Sequence, residues 1–220
     1  EIEKIINDNN VKFFEAIAYV SHPQTDYILN FINSGEIGEI RSIETSFGFR
    51  VRKIKPESRL FNKKLGGGAI LDIGCYPMSF ISLFNNSKNE MKFLSIDGEI
   101  CETKVDIAAS ANILINDKIN CKIKVSLKEY FNNNSVIHGS KAKVTVNSPW
   151  LPGKKSFLEF SNKDRYFKQF IESDLSVYAN QIKNVTNAFL NNTSKKNRLY
   201  DISRSVQNMR YLDMWMKNIY

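Results

Sequence analysis

The most constraining feature of this sequence is a strict two-residue alternation in its middle. From 105 to 115 the odd positions are Val, Ile, Ala, Ala, Ile and Ile; from 119 to 127 they are Ile, Cys, Ile, Val and Leu, with Asn, Lys, Lys and Ser between them. Side chains of a strand point alternately to opposite faces, so this period puts one face on a core and the other in water. The stretch 43–49 repeats the pattern with Ile, Thr, Phe and Phe against Glu, Ser and Gly. Asn116-Asp117 reads as a two-residue hairpin turn, and Gly139-Ser140 as a second turn before Ala142, Val144 and Val146. With a further strand over 92–101, these segments predict a largely antiparallel sheet of five or more strands.

Helical periods flank the sheet. Ile2, Ile5 and Ile6 share one face of a short helix that Asp8-Asn9-Asn10 stops, and the apolar run 11–18 reads as a buried strand. Helix, turn and buried strand together resemble the tail of a doubly wound α/β unit. His22-Pro23-Gln24 opens the next helix, with Pro23 at the first helical position, a stripe of Tyr27, Ile28, Phe31 and Ile32, and a stop at Ser34-Gly35. Near the end, Tyr178, Ile182, Val185 and Phe189 form one helical stripe, and Ile202, Val206, Met209, Leu212, Met216 and Ile219 another; both read as core faces. Pro149, Pro152 and Gly153 mark 148–168 as the loosest connection. The expected class is α+β: an open, mostly antiparallel sheet with helices on one face and a polar second face.

Composition narrows the function classes. The chain has 220 residues and a net charge of +8. Its densest basic cluster, Arg50, Arg52, Lys53 and Lys55, lacks the aromatic ladder of a single-strand binder, which argues against nucleic acid; an anionic substrate or a cofactor phosphate is an equally good use of the net charge. No apolar run approaches a membrane span, and the first residues carry no secretory pattern; the expected setting is cytoplasmic. Cys75, Cys101 and Cys121 are far apart and, with only His22 and His138, build no metal site. The chain begins with Glu and contains no GxGxxG, which reads as a piece of a longer protein lacking the dinucleotide fingerprint.

Chemistry concentrates in Gly66-Gly67-Gly68-Ala69-Ile70-Leu71-Asp72-Ile73-Gly74-Cys75-Tyr76-Pro77. A glycine run before a helix permits close approach and leaves N–H groups that favour an anion. Asp72 and Tyr76 stand four residues apart, on one helical face. A carboxylate beside a phenol can bind a polyol and move a proton, provided that a cation lowers the phenol pKa from about 10. By spacing alone, a helix-start Asp and a core-edge Tyr are more often structural. His22 lies at a strand-to-helix corner near the expected cleft, where a plain helix-entry role is favoured over substrate contact; His138 is given no role.

The stretch 59–77 resembles the signature of the glucose–fructose oxidoreductase, inositol dehydrogenase and MocA family, in the branch with xylose dehydrogenases and dimeric dihydrodiol dehydrogenases. Glu15-Ala16 with His22-Pro23-Gln24, the turn Gly35-Glu36-Ile37-Gly38-Glu39-Ile40, the hairpin Ile137-His138-Gly139-Ser140-Lys141 and the helix Asn208-Met209-Arg210-Tyr211-Leu212-Asp213 resemble further family segments in the same order. The resemblance implies the last helix and strand of a Rossmann domain over 1–20 and a substrate and dimerisation domain over 21–220. It implies Tyr76 as the acid/base residue, where many relatives carry His, with Asp72 beside it. Arg59 and His22 would face substrate, and Glu15, Gly67 and Gly68 would face NAD or NADP. The family lysine of a Glu-Lys-Pro motif is absent here, and Val20 stands where relatives often have Arg.

The expected function is therefore the substrate side of an NAD(P)-dependent dehydrogenase acting on a sugar or polyol, as a homodimer or homotetramer through the open sheet face. A non-enzymatic sheet domain for dimerisation or sugar binding is the alternative.

Overall fold

A computed structural model describes residues 1–85, 91–190 and 199–220. Its centre is one eight-stranded sheet: β1 (Ile40–Gly48), β2 (Lys92–Ile100), β3 (Asp106–Ile115), β4 (Ile119–Ser126), β5 (Asn134–Gly139), β6 (Lys143–Asn147), β7 (Lys155–Ser161) and β8 (Tyr166–Glu172). The spatial order is β2-β3-β4-β1-β5-β6-β7-β8. Every neighbouring pair is antiparallel except β1 and β4, which run parallel with Ile43 opposite Cys121 and Phe47 opposite Val125. The α+β class and the mostly antiparallel open sheet expected from the alternation are what the fold shows.

The alternation works as its chemistry requires. Ile43, Ile113, Ile123, Ile137, Val144 and Leu158 are fully buried on the inner face. Glu44, Asn112, Lys122 and Lys124 are exposed on the other. That second face also carries Phe157 and Phe170, whose ring centroids lie 5.8 Å apart, with the Lys168 ammonium 4.9 Å from the Phe157 ring. Asn116 and Asp117 form the expected tight turn, both with positive φ (54° and 56°), and the Lys118 amide donates to the Ile115 carbonyl at 3.0 Å. Both backbones sit in the left-handed region, where Asn and Asp are the better-tolerated side chains.

The helices are α1 (Ile2–Asp8), α2 (Pro23–Asn33), α3 (Cys75–Ser82), α4 (Val177–Leu190) and α5 (Ile202–Lys217). Met78, Phe80 and Ile81 of α3 and Leu212 and Trp215 of α5 join the sheet's inner face in a single core. Asp201 caps α5 by accepting the Arg204 amide at 3.0 Å.

Four expectations need correction. The run 11–18 is not a buried strand. Val11 is exposed, and among the described residues Phe14 forms only an isolated bridge with Asp201, too short a pairing to make a strand. The segment 148–168 is not a loose connection, since it contains β7 and the start of β8; Ser156, Leu158 and Phe160 alternate inward there. The α4 stripe does not face the core. Tyr178, Ile182 and Phe189 are exposed, while Val177 and Ala188 make the inward contact. On α5 the buried face is Ser205, Asn208, Leu212 and Trp215, with Tyr211, and Met209 points to solvent. Asn208 is tolerated on that face because its side-chain amide donates to the Cys75 carbonyl of α3 at 3.2 Å.

Candidate active site

The glycine segment opens with Gly66 in the left-handed region (φ 71°), closing a short turn over Lys63–Leu65. A π-turn, Ile70–Gly74, follows and leads directly into α3. Single π-turns widen a helix locally and recur at functional sites. Asp72 sits inside this turn and Tyr76 one position into α3.

Asp72 is nearly buried, with 12% side-chain exposure, and its carboxylate accepts from the exposed Arg59 guanidinium at 2.5 Å. Tyr76 lies against an aromatic wall. Its ring is 5.5 Å from Phe47 at 70° and 6.2 Å from Trp150, edge and tilted geometries that ring quadrupoles favour. Trp150 is itself fixed, its indole N–H donating to the Ser46 carbonyl at 3.1 Å. Behind Tyr76, the Ser79 hydroxyl donates to the Tyr76 carbonyl at 2.8 Å and accepts from the Tyr19 hydroxyl at 2.9 Å, so α3 is tied to the turn Ala18–Ser21. Among the described residues the Tyr76 hydroxyl makes no hydrogen bond.

Burial, and after it the negative charge that Cys75, Tyr178, Asp72 and Glu15 can carry, push the Tyr76 phenol up to about 12. The phenol is therefore a protonated donor at neutral pH. Among the described residues nothing supplies the lowering that a basic role demands.

Glu15 reaches the same place from the other side. Its amide donates to the Tyr200 carbonyl at 2.7 Å and its carbonyl accepts from the Gln181 side chain at 3.0 Å, while its carboxylate oxygen Oε2 is buried without a partner. Its charge bears on Cys75, Tyr76 and Tyr200 alike. The structure thus brings Arg59, Asp72, Tyr76 and Glu15 together.

It does not bring the remaining sequence assignments there. His22 is fully buried and caps α2, its Nδ1 accepting the Gln24 amide at 3.1 Å; burial holds its imidazole below the usual range, partly opposed by the Gly153 backbone. An enclosed capping ring offers no surface to a substrate. Gly67 and Gly68 are corrected too. Their amides already donate, to the Asn62 carbonyl at 3.0 Å and the Leu60 carbonyl at 2.9 Å. The anion at this helix start is the protein's own Asp106, whose Oδ2 accepts the Ile70 amide at 2.7 Å. Gly68 has φ 119°, and a Cβ there would lie 2.2 Å from Asp106 Oδ1. Gly68 makes room for this buried carboxylate, and Gly67 for the backbone of residues 59–62. His138 lies 3.8 Å from Glu44 on the open face. A cleft of about 890 Å³, lined by Asp26, Arg41, Ser79, Tyr200 and Arg204 among others, contains none of the assigned residues.

Sequence reasoning did not find Phe47, Trp150, Tyr178 or Asp106. For Phe47 and Trp150 no local signal exists, because more than a hundred positions of chain separate them from each other.

The profile of the GFO/IDH/MocA C-terminal domain matches residues 27–145. The chain belongs to this family. As a GFO/IDH/MocA C-terminal domain it is 30% identical over 145 residues to trans-1,2-dihydrobenzene-1,2-diol dehydrogenase of Xenopus tropicalis, covering 65% of this chain and 42% of that protein. It is 26% identical over 153 residues to dTDP-3,4-didehydro-2,6-dideoxy-alpha-D-glucose 3-reductase of Actinomadura kijaniata, covering 67% and 44%. A 3-ketoreductase of Actinomadura kijaniata, solved with NADP and TDP-benzene, shares the fold with a TM-score of 0.85 at 20% identity, over 97% of this chain and 64% of that one. The GFO/IDH/MocA chain described here thus spans less than half of the curated relatives' length in its match. Among the described residues no helix is long and apolar enough to cross a membrane, and no cluster of His, Cys, Asp and Glu is built to hold a metal ion.

Proposed function

We propose that this chain is the substrate side of an NAD(P)-dependent oxidoreductase that passes hydride between a nicotinamide and a sugar or polyol carbon. The observation that carries this reading is the convergence of an unpartnered, protonated Tyr76 with Asp72 and Glu15 on a π-turned helix start. The membership in a family whose named relatives are dehydrogenases and reductases supports it.

The nicotinamide supplies or receives the hydride at its C4 when bound. The residues present fit that group: the buried, unpartnered Glu15 Oε2 is an acceptor that a carboxamide N–H₂ would satisfy. Tyr76 delivers a proton from its phenol to the carbonyl oxygen as an alcohol forms. Asp72, steadied by Arg59, accepts a substrate hydroxyl and orients it. Phe47 and the buried Trp150 back the Tyr76 ring with apolar contacts that hold the phenol in place. The reverse reaction requires a cation beside Tyr76, for which the upstream lysine of the family resemblance is the candidate.

In this reading residues 1–20 are the tail of the nucleotide-binding domain and 21–220 the substrate domain. Exposed Ile2, Ile5 and Val11, with Tyr178, Ile182 and Phe189 of α4, provide apolar surface for the rest of the first domain. The second face of the sheet, with exposed Phe170 and Tyr166, serves a homodimer or homotetramer.

The test is isotopic. Full-length protein is incubated with NADPH or NADH deuterated at C4 and a panel of ketoses, ketosugars and lactones. Deuterium on a product carbon supports the assignment; its absence across the panel with both cofactors contradicts it.

A further inference from the structure

We propose that the strap of residues 49–58 is an anion-recognition element, and that the substrate is a phosphorylated sugar whose phosphoryl group it takes. The inference rests on the reading above that Tyr76 and Asp72 mark the substrate site.

The strap is placed by both of its ends. On one side it leaves β1 just after Phe47, whose ring lies against Tyr76 and 6.4 Å from that of Phe49. On the other it arrives at Arg59, which holds Asp72. Between these anchors its backbone is fixed rather than loose. The Phe49 amide donates to the Ser126 carbonyl at 3.0 Å, that of Val51 to Leu127 at 2.8 Å and that of Ser58 to Lys55 at 2.9 Å. Phe49, Val51 and Ile54 pack against the core. The residues between them, Arg50, Arg52, Lys53 and Lys55, all stand exposed.

The strap is predominantly cationic. Among the described residues none of the four forms an ion pair, and Glu57 is the only acid between 49 and 65. Four like charges on one tethered strap repel, and the repulsion is relieved by an anion. Two arginines in the set suit a phosphoryl group, because the guanidinium fork matches its oxygens in a bidentate way. Within about 8–10 Å, the range over which salt leaves a charge felt, such a strap attracts an anion toward the phenol and the carboxylate at its ends.

Inorganic pyrophosphate is the probe, since it carries the phosphoryl chemistry without any sugar stereochemistry. Calorimetric titration into full-length protein compares wild type with Arg50→Gln/Arg52→Gln/Lys53→Gln/Lys55→Gln and with Lys122→Gln/Lys124→Gln, a control that removes charge from the open sheet face. The expected result is saturable binding by wild type and control, at least about tenfold weaker in the strap variant, with affinity falling as salt rises. No saturable binding, or equal loss in strap variant and control, overturns the proposal. A parallel titration follows NADPH fluorescence: pyrophosphate should leave NADPH bound, and displacement would assign the strap to the cofactor phosphate and overturn the substrate assignment. Neither titration needs turnover, so a failure of deuterium transfer would remove the oxidoreductase reading while this result still stands or falls by itself.

Discussion

The Asp106 carboxylate accepts the Ile70 amide at 2.7 Å, and through this one contact the start of β3 anchors the turn that carries Asp72. Tyr220 completes the arrangement: its hydroxyl donates to Asp106 Oδ1 at 2.9 Å and accepts the Asp106 amide at 2.6 Å. Asp106 is fully buried, and burial raises its carboxyl above the usual range against the opposing pull of the Ile70 and Tyr220 hydrogen bonds. Asp106→Ala leaves the buried Ile70 amide without this acceptor, at a cost of about 1–3 kcal/mol, and frees the exposed Tyr220 hydroxyl to water. Gly68→Ala strains a positive-φ backbone and drives a methyl into the same carboxylate; it should destabilise by at least about 2 kcal/mol. Urea unfolding midpoints check both. Unchanged midpoints would mean that the contact does not support the turn.

Alkaline pH is a second lever. Burial pushes Cys75, Cys121 and Tyr76 up to about 12, and raises Tyr19, Tyr200 and Tyr220 as well. Each group's folded pKa lies above its unfolded one, so the folded state holds more protons as pH rises. Stability is whole below the unfolded values, near 8.5 for the thiols and 10 for the phenols. It is lost as pH climbs from there through about 12. The melting temperature should fall steadily above about pH 9. A melting temperature that holds or rises between pH 9 and 11 would contradict the buried, protonated state of these groups.

The ion pair of Arg59 and Asp72 separates stability from activity. Arg59 is mostly exposed, so Arg59→Gln should cost no more than about 1 kcal/mol in thermal or urea unfolding. In the full-length enzyme it should raise KM for the sugar about tenfold through the loosened Asp72, with a smaller change in kcat. An unaltered KM would remove Arg59 from substrate positioning.

The sheet was legible because half-buried strands announce themselves by period. Where it was misjudged, the cause is specific. Pro149, Pro152 and Gly153 draw attention to a loop, yet the alternation of Ser156, Leu158 and Phe160 begins right after them. The stripe of Tyr178, Ile182 and Phe189 has a helical period that says an apolar face exists, but not whether this chain covers it. Asp72 and Tyr76 stood out through family resemblance more than through spacing. The glycine run was read as an open anion site because amides without visible local partners look free. Their partners are backbone carbonyls of 60–62 and, for Ile70, a carboxylate 36 residues away. The wall of Phe47 and Trp150 exists only after the sheet has formed.

The central claim is that Tyr76 exchanges the proton that accompanies hydride transfer. The most direct measurement is steady-state kinetics of Tyr76→Phe in the full-length protein, with a sugar that the wild type turns over. The aromatic contacts with Phe47 and Trp150 survive this change, so folding and KM should be nearly unaltered, while kcat falls about 10²–10⁴-fold. A kcat within a factor of about three of wild type would contradict the account.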